Sequence, residues 1–168
     1  MVNLKPFAIV PLSKLRTVTV HPSQQVYVGT TEQFIDSCEW GVQKLVAFKD
    51  GQIIGYLKVD FAYSNSYYFA PAQSVGLRSV VIGEHFQAKG LGRAMLQQAI
   101  FYVQSNYPAV RLIYLTVNLK NSGAYRCYQR VGFKDSGELF LFGGAGPQHI
   151  MHYRLDSLEV NENEVAKG

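Results

Sequence analysis

Cysteine is scarce in this chain of 168 residues: it has two, Cys38 and Cys127, in neither a CxxC pair nor a zinc-like spacing. The sequence therefore offers no zinc module, and two isolated thiols fit a reducing compartment. No apolar run approaches the roughly 18 residues that a membrane-spanning helix needs. The opening "MVNLKPFAIVPLSKL" lacks both the long apolar stretch and the small-residue cleavage site of a signal peptide. Basic residues are scattered, the densest pairing being Arg126 with Arg130, so no nucleic-acid footprint is marked. Repeats and low-complexity segments are absent as well. These absences together lead to the expectation of a cytoplasmic protein with no metal, no membrane partner and no nucleic-acid partner.

What is present is a globular composition, 48% hydrophobic, 13% aromatic and 17% charged, in a length that suits one domain with a sizeable core. The 11 Tyr and 10 Phe fit either a β-rich core or an aromatic-lined cleft. A net charge of +4 favours an anionic ligand.

The clearest local signal is "KLVAFKDGQIIGYLKVDF". Apolar residues fill Leu45 to Phe48 and Ile53 to Phe61, and Asp50-Gly51 between them supplies the positive φ of a tight hairpin. Upstream, "KPFAIVPL" reads as a strand over Phe7 to Val10 ended by Pro11, and "TTEQFIDSC" as a helix capped by Thr31. "AYSNSYYFAPAQS" reads as a polar and aromatic loop, followed by a strand over 75–82. Leu91, Ala94, Met95, Ala99 and Tyr102 recur at helical spacing, and Pro108 ends that helix. "VRLIYLTVN" is short and β-branched, hence a buried strand. "NSGAYRCYQRVGF" is a second helix stopped at Gly132, and "GELFLF" and "HIMHYRL" are closing strands. The order β, helical region, β-β-β, α, β, α, β-β predicts an α+β fold around a mixed sheet. It places one domain over residues 1–155 and a polar tail over 156–168.

Between the strand ending at Ile82 and the helix beginning at Leu91 lies "GEHFQAKGLGRAM". Read as a Walker loop from Gly83, it has Ala88 where the second glycine belongs and no hydroxyl after Lys89. Read as a dinucleotide fingerprint, it has Met95 in the third small position. Gln87-Ala88-Lys89-Gly90-Leu91-Gly92 does match Q/R-x-x-G-x-G/A. In that pattern successive backbone N–H groups from Gln87 to Arg93 face one pocket at the positive end of a helix. Gly90 and Gly92 let a pyrophosphate approach, and Lys89 and Arg93 add charge.

"IGEHFQAKGLGRAML" with the later "LTVNLKNSGAYRCYQRVGF" resembles the GNAT superfamily of acyl-CoA-dependent N-acetyltransferases. The first stretch is similar to its motif A. The second is similar to motif B, whose N-x-x-A-x-x-x-Y-x-x-x-G-F is met by Asn121, Ala124, Tyr128, Gly132 and Phe133. "YQRVGF" and "HPSQQVYV" are loosely similar to the diamine and spermidine acetyltransferases. The resemblance implies the GNAT fold, a mostly antiparallel mixed sheet with a splayed parallel strand pair and flanking helices. It implies acetyl-CoA as acyl donor, with Val80, Val81 and Ile82 contacting pantetheine, Gln87, Ala88, Lys89, Gly90, Leu91, Gly92 and Arg93 taking the pyrophosphate, and Asn121 near the thioester. Tyr128 is implied as general acid for the leaving thiolate. The apolar side chains at 80–82 and the ring of Tyr128 have core packing as their other reading.

The general base is not evident. "GLRSVVIG" holds no carboxylate, leaving Glu84 and His85 past the strand, Glu32 and Asp36 in the region that usually covers the acceptor, or water. His149 and His152 form H-x-x-H, but i and i+3 on a strand face opposite ways. Cys127 reads as an inert buried thiol. The expected activity is acetyl transfer to the primary amine of a small molecule. The alternatives are a protein or peptide amine as acceptor and a non-catalytic acyl-CoA sensor. The aromatic run from Tyr63 to Phe69 either lines the acceptor pocket or forms a surface of the homodimer that GNAT relatives often make.

Overall fold

A computed structural model describes residues 1–155, and the polar tail expected over 156–168 lies outside the described residues. The architecture grows from the central hairpin. Asp50 and Gly51 both take positive φ, 50° and 76°, the turn geometry that matches the natural twist of two antiparallel strands. They join β2 (Val42–Lys49) to β3 (Gln52–Asp60). A first strand, β1 (Asn3–Pro6), adds to the outer side of β2, and β4 (Ser74–Ile82) adds antiparallel to β3. Helix α5 (Leu91–Asn106) then crosses over so that β5 (Leu112–Asn118) runs parallel to β4. After α6 (Ser122–Val131), β6 (Lys134–Phe140) and β7 (Gln148–Arg154) complete one seven-stranded sheet in the order β1-β2-β3-β4-β5-β7-β6.

Three short helices, α1 (Leu12–Leu15), α2 (Pro22–Val28) and α3 (Thr31–Asp36), precede the hairpin, and α4 (Tyr63–Ser66) follows it. Here the structure corrects the sequence reading. Phe7–Ile9 is a 3-10 turn and the strand lies earlier, at Asn3–Pro6, because that segment pairs with Leu45 to Phe48. The cap of α3 is Thr30, not Thr31. Thr30 and Gln33 exchange the two bonds of a capping box, while the Thr31 hydroxyl is buried and donates to the Val18 carbonyl at 2.7 Å. The aromatic loop after β3 also contains one helical turn, α4.

The sheet is covered on both faces. On one, α5 and α6 bury Met95, Leu96, Ala99, Val103 and Tyr128 against Leu57, Val75, Ile113 and Leu115. On the other, the first three helices and the segment between α1 and α2 bury Leu15, Val18 and Phe34 against Val46, Tyr56 and Val81. Phe34 stacks on Tyr56 with ring centroids 4.0 Å apart. Among the described residues no helix is long and apolar enough to cross a membrane.

One irregularity positions the site. From Tyr56↔Val81 to Lys58↔Arg78, β4 advances one residue more than β3, a bulge at Ser79 and Val80. Ser79 sits there with φ of 49°. On its other side β4 pairs with β5 only at Ser74, Val75 and Gly76, although β4 continues to Ile82 and β5 to Asn118. The parallel strands therefore part in a wedge.

Gly55 marks where β3 and β4 approach most closely: a Cβ there would lie 2.1 Å from the Val81 carbonyl oxygen. Gly55→Ala is expected to cost about 1–3 kcal/mol, since backbone rather than a mobile side chain must yield. Urea denaturation followed by circular dichroism measures it, and an unchanged midpoint would contradict this account.

Candidate functional site

The glycine turn leads from the end of β4 into α5. Ala88 and Gly90 take positive φ, 61° and 75°, which swings the chain into the helix start. Ala94 is the first residue of α5 whose N–H finds a backbone acceptor, the Gly90 carbonyl at 3.2 Å. The N–H groups of Gly90, Leu91, Gly92 and Arg93 have no acceptor among the described residues, so the positive end of a 16-residue helix faces outward. Gly90, Lys89 and Arg93 are exposed. A Cβ at Gly90 would meet open space, and one at Gly92 would lie 3.6 Å from Cys127 Sγ and Ile82 Cγ1. Gln87 does more than supply an amide. Its Nε2 donates to the Ile82 carbonyl and to Gln24 Oε1, both at 3.1 Å, tying the turn to β4 and α2.

A cavity of about 730 Å³ opens at the wedge. Ser79 and Val80 from β4, Thr116 and Asn118 from β5, and Asn121 and Tyr128 at opposite ends of α6 all line it. Asn118 is buried, its amide donating to the Ala145 carbonyl at 2.9 Å and its Oδ1 accepting from the Lys120 N–H at 2.9 Å. Tyr128 packs edge-on against Phe133, and its hydroxyl makes no hydrogen bond among the described residues. Burial pushes its pKa well above the ordinary tyrosine value, so the proton stays on.

Charge enters from the opposite wall. Asp60 and Arg78 line the cavity, as does Glu39 from the loop before β2. Lys44, Lys58 and Arg78 are direct neighbours across β2, β3 and β4, a row of three cations on one face. Each is answered. Lys44 donates to the carbonyls of Phe34, Ile35 and Ser37 at the end of α3, at 2.7–3.1 Å. Glu39 bridges Lys58 and Arg78, both at 2.7 Å, and Arg78 also reaches Asp60 at 3.3 Å. The bond from Lys58, with Arg78 beside it, holds the Glu39 carboxyl below its ordinary value despite partial burial. Asp60 accepts in addition from the Ala62 N–H at 2.9 Å.

A third wall is aromatic. Tyr63 stacks on Tyr67 at 4.0 Å, Phe140 follows at 5.4 Å from Tyr67, and Phe142 at 5.7 Å from Phe140. Gly76 makes room for this wall, since a Cβ there would fall 2.0 Å from the Tyr63 ring.

Of the residues singled out by sequence, Tyr128, Asn121 and Val80 come together at the cavity, and Gln87 to Arg93 gather at the head of α5. Val81 faces the other way, into the core beneath the first helices, so only its backbone is available to a ligand; Ile82 packs toward α5. Glu32 pairs with Arg16 at 2.8 Å, and neither it nor Asp36 lines the cavity. Glu84 and His85 do not line it either. His149 pairs with Asp135 at 3.2 Å and stacks on Tyr125, while His152 packs on Tyr114 across the sheet, and no metal cluster occurs among the described residues. Cys127 is partly buried, which raises its thiol pKa. The sequence reading missed Glu39, Asp60 and Arg78. The signal was there: "YLKVDF" and "GLRSVV" each interrupt an apolar strand with charge, and Lys58 and Asp60 do so at the period-two spacing of one sheet face.

Residues 14–133 match the sequence profile of the Acetyltransferase (GNAT) family. A probable spermine N(1)-acetyltransferase of Bacillus subtilis subsp. natto is 43% identical over 69 residues, 41% of this chain and 45% of that protein. An N-alpha-acetyltransferase of Sulfurisphaera tokodaii is 29% identical over 100 residues, 58% of this chain and 59% of that one. The chain thus spans about half the length of the curated relatives it matches. Among solved structures, an aminoglycoside acetyltransferase AAC(6')-Ib in complex with coenzyme A superposes with a TM-score of 0.74 at 18% identity, covering 96% of this chain and 99% of that one. A spermidine N-acetyltransferase of Vibrio cholerae in complex with CoA and spermine gives 0.64 at 18% identity, covering 93% and 96%. At these identities the likeness is one of fold.

The Glu39 bridge has a pH signature. A carboxyl held below its ordinary value of 4.5 contributes stability above that pH and loses it as the pH falls through the lowered folded value. Glu39→Gln is expected to cost about 1–2 kcal/mol at pH 7, discounted for the exposed side of the pair. The gap to wild type should close below the carboxyl's ordinary pKa. Thermal melts of both proteins from pH 3 to 7 test this, and a gap independent of pH would refute it.

Proposed function

The chain belongs to the GNAT acetyltransferase family, and on that premise we propose that it moves an acetyl group from acetyl-CoA to the primary amine of a small molecule, by direct transfer through a tetrahedral intermediate. The observation that carries this reading is the wedge between β4 and β5, with the Tyr128 hydroxyl free of hydrogen bonds among the described residues at its wall and the unsatisfied N–H groups of α5 at the turn that follows β4. Residues 1–155 make up the catalytic domain.

The residues present suit the donor. The N–H groups of Gly90 to Arg93 and the side chains of Lys89 and Arg93 offer a pyrophosphate both hydrogen bonds and charge, and the open space at Gly90 lets it reach the backbone. Gln87 holds the turn in place from behind. On the side facing β5, the backbone of Val80 to Ile82 lies past the last β4–β5 pair, and its groups not taken by β3 or by Gln87 would bond a pantetheine arm as an added strand does. Asn121, which lines the cavity, would contact the donor near its thioester end.

In the reaction the amine nitrogen bonds to the acetyl carbon, and the carbonyl oxygen takes up negative charge that a backbone N–H of the splayed strand stabilises. The carbon–sulfur bond then breaks. Tyr128 gives its proton to the departing sulfur, and the proton lost by the nitrogen returns through water in the open cavity to the phenolate, restoring the acid. Burial keeps Tyr128 protonated at neutral pH, and the same desolvation raises the proton affinity of the thiolate it meets. Glu39 is a poor base here, since Lys58 and Arg78 hold its carboxyl below its ordinary value.

Calorimetric titration with acetyl-CoA, together with thiol release against a panel of amines, tests the reading. Failure to bind acetyl-CoA would end it. Tyr128→Phe is expected to lower kcat by roughly 100-fold or more while the acetyl-CoA Kd stays within about twofold; unchanged turnover would leave Tyr128 as packing alone. Gly90→Leu should act the other way, weakening acetyl-CoA binding by about tenfold or more, because its side chain would fill the open space in front of the helix N–H groups, with retention of the fold checked by circular dichroism.

A further inference from the structure

We infer that the acceptor is a monoamine carried on an aromatic body, an arylalkylamine, and not a polyamine. This rests on the acetyl-transfer reading above and narrows it.

The first argument is electrostatic. The carboxylates that line the cavity are Glu39 and Asp60, and against them stand Lys58 and Arg78, bound at 2.7–3.3 Å. Two negative charges meet two positive ones, Arg78 in the lining and Lys58 behind it, so the cluster as a whole is neutral. A polyamine brings several ammonium groups into a partly desolvated space, and each needs a carboxylate with valence to spare. Asp60 also accepts from the Ala62 N–H, and the Glu39 oxygens are divided between Lys58 and Arg78. A single ammonium can share one of these carboxylates, but a second and third find none. The chain's net charge of +4 works against a polycation from a distance as well.

The second argument is shape and chemistry. The aromatic wall runs without a break from Tyr63, 1% exposed on the cavity floor, through Tyr67 and Phe140 to Phe142, 81% exposed at the rim. Edges and faces of phenyl rings at 4–6 Å spacing are what another ring packs against. An extended aliphatic polycation has no body to place there. An arylalkylamine satisfies both walls at once, its ring among Tyr67, Phe140 and Phe142 and its one nitrogen toward the wedge.

The test compares kcat/KM for phenethylamine, tyramine, spermidine and a short peptide with a free N-terminus, at saturating acetyl-CoA, with acetyl-CoA affinity measured separately. The arylalkylamines are expected to exceed spermidine and the peptide by at least about tenfold. Tyr67→Ala should raise KM for tyramine about tenfold and leave acetyl-CoA affinity unchanged. Arg78→Gln uncovers both carboxylates and should raise the kcat/KM of spermidine relative to tyramine. Should that variant fail to fold, Tyr67→Ala carries the test. Preference for spermidine or for the peptide overturns the inference while acetyl transfer stands, and so does a tyramine KM indifferent to Tyr67→Ala. Thiol release with none of the amines removes the acetyl-transfer reading and this inference together.

Discussion

A serine held in the left-handed region costs on the order of 1 kcal/mol or more, and a β-ladder interrupted at that residue forfeits hydrogen bonds besides. Ser79 accepts both in the middle of β4, at the bulge opposite Leu57. What the strand gains is a change of direction. Up to Gly76 it lies beside β5; beyond Ser79 it leaves, and the gap holds the cavity, the unpaired backbone and the wall formed by Tyr128. The neighbouring parts of the molecule hold the divergence in place. Arg78, one residue before the bulge, is fastened to Asp60 on β3 and to Glu39 on the loop before β2, and Gln87 ties the far end of β4 to α2.

The same fastening explains an arrangement that would otherwise repel. Like charges directly opposite on adjacent strands destabilise a sheet, yet Lys44, Lys58 and Arg78 stand in one row. Lys44 is taken up by the carbonyl end of α3, where cations belong, and lies 3.7 Å from the Phe7 ring centroid. Lys58 and Arg78 share one carboxylate, and Asp60 completes the set. The row is thus a means of pinning the covering helices and the loop at Glu39 onto the sheet. It leaves the two carboxylates of the cavity wall each engaged by a cation.

Much of this was legible in the chain. The Asp50-Gly51 hairpin, the two long helices and the crossover between β4 and β5 each had a local signature: positive-φ residues, helical periodicity, a short β-branched run. The resemblance to motif B assigned Asn121 and Tyr128 to the same part of the donor, the thioester and its sulfur. What escaped was everything decided by partners far along the sequence. Asn3–Pro6 is a strand because Leu45 to Phe48 offers an edge, and nothing within the segment says so. Thr30 and Thr31 are chemically alike, and the tertiary contact of Thr31 with Val18 and Tyr56 decides which of them caps. Glu39 lies in a loop, and its meaning depends on two cations 19 and 39 residues away.

At its outer margin the sheet ends in β6, which meets β7 through a register break between Asp135 and Leu139. Gly137 within that break has φ of 82°, and Lys134, Asp135 and Glu138 are exposed around it. An open edge is a template onto which a foreign strand can hydrogen-bond, and a flat one recruits copies of itself. A kinked and charged edge presents no continuous row of donors and acceptors. The irregularity of β6 thus makes this border of the sheet a poor template for a further strand.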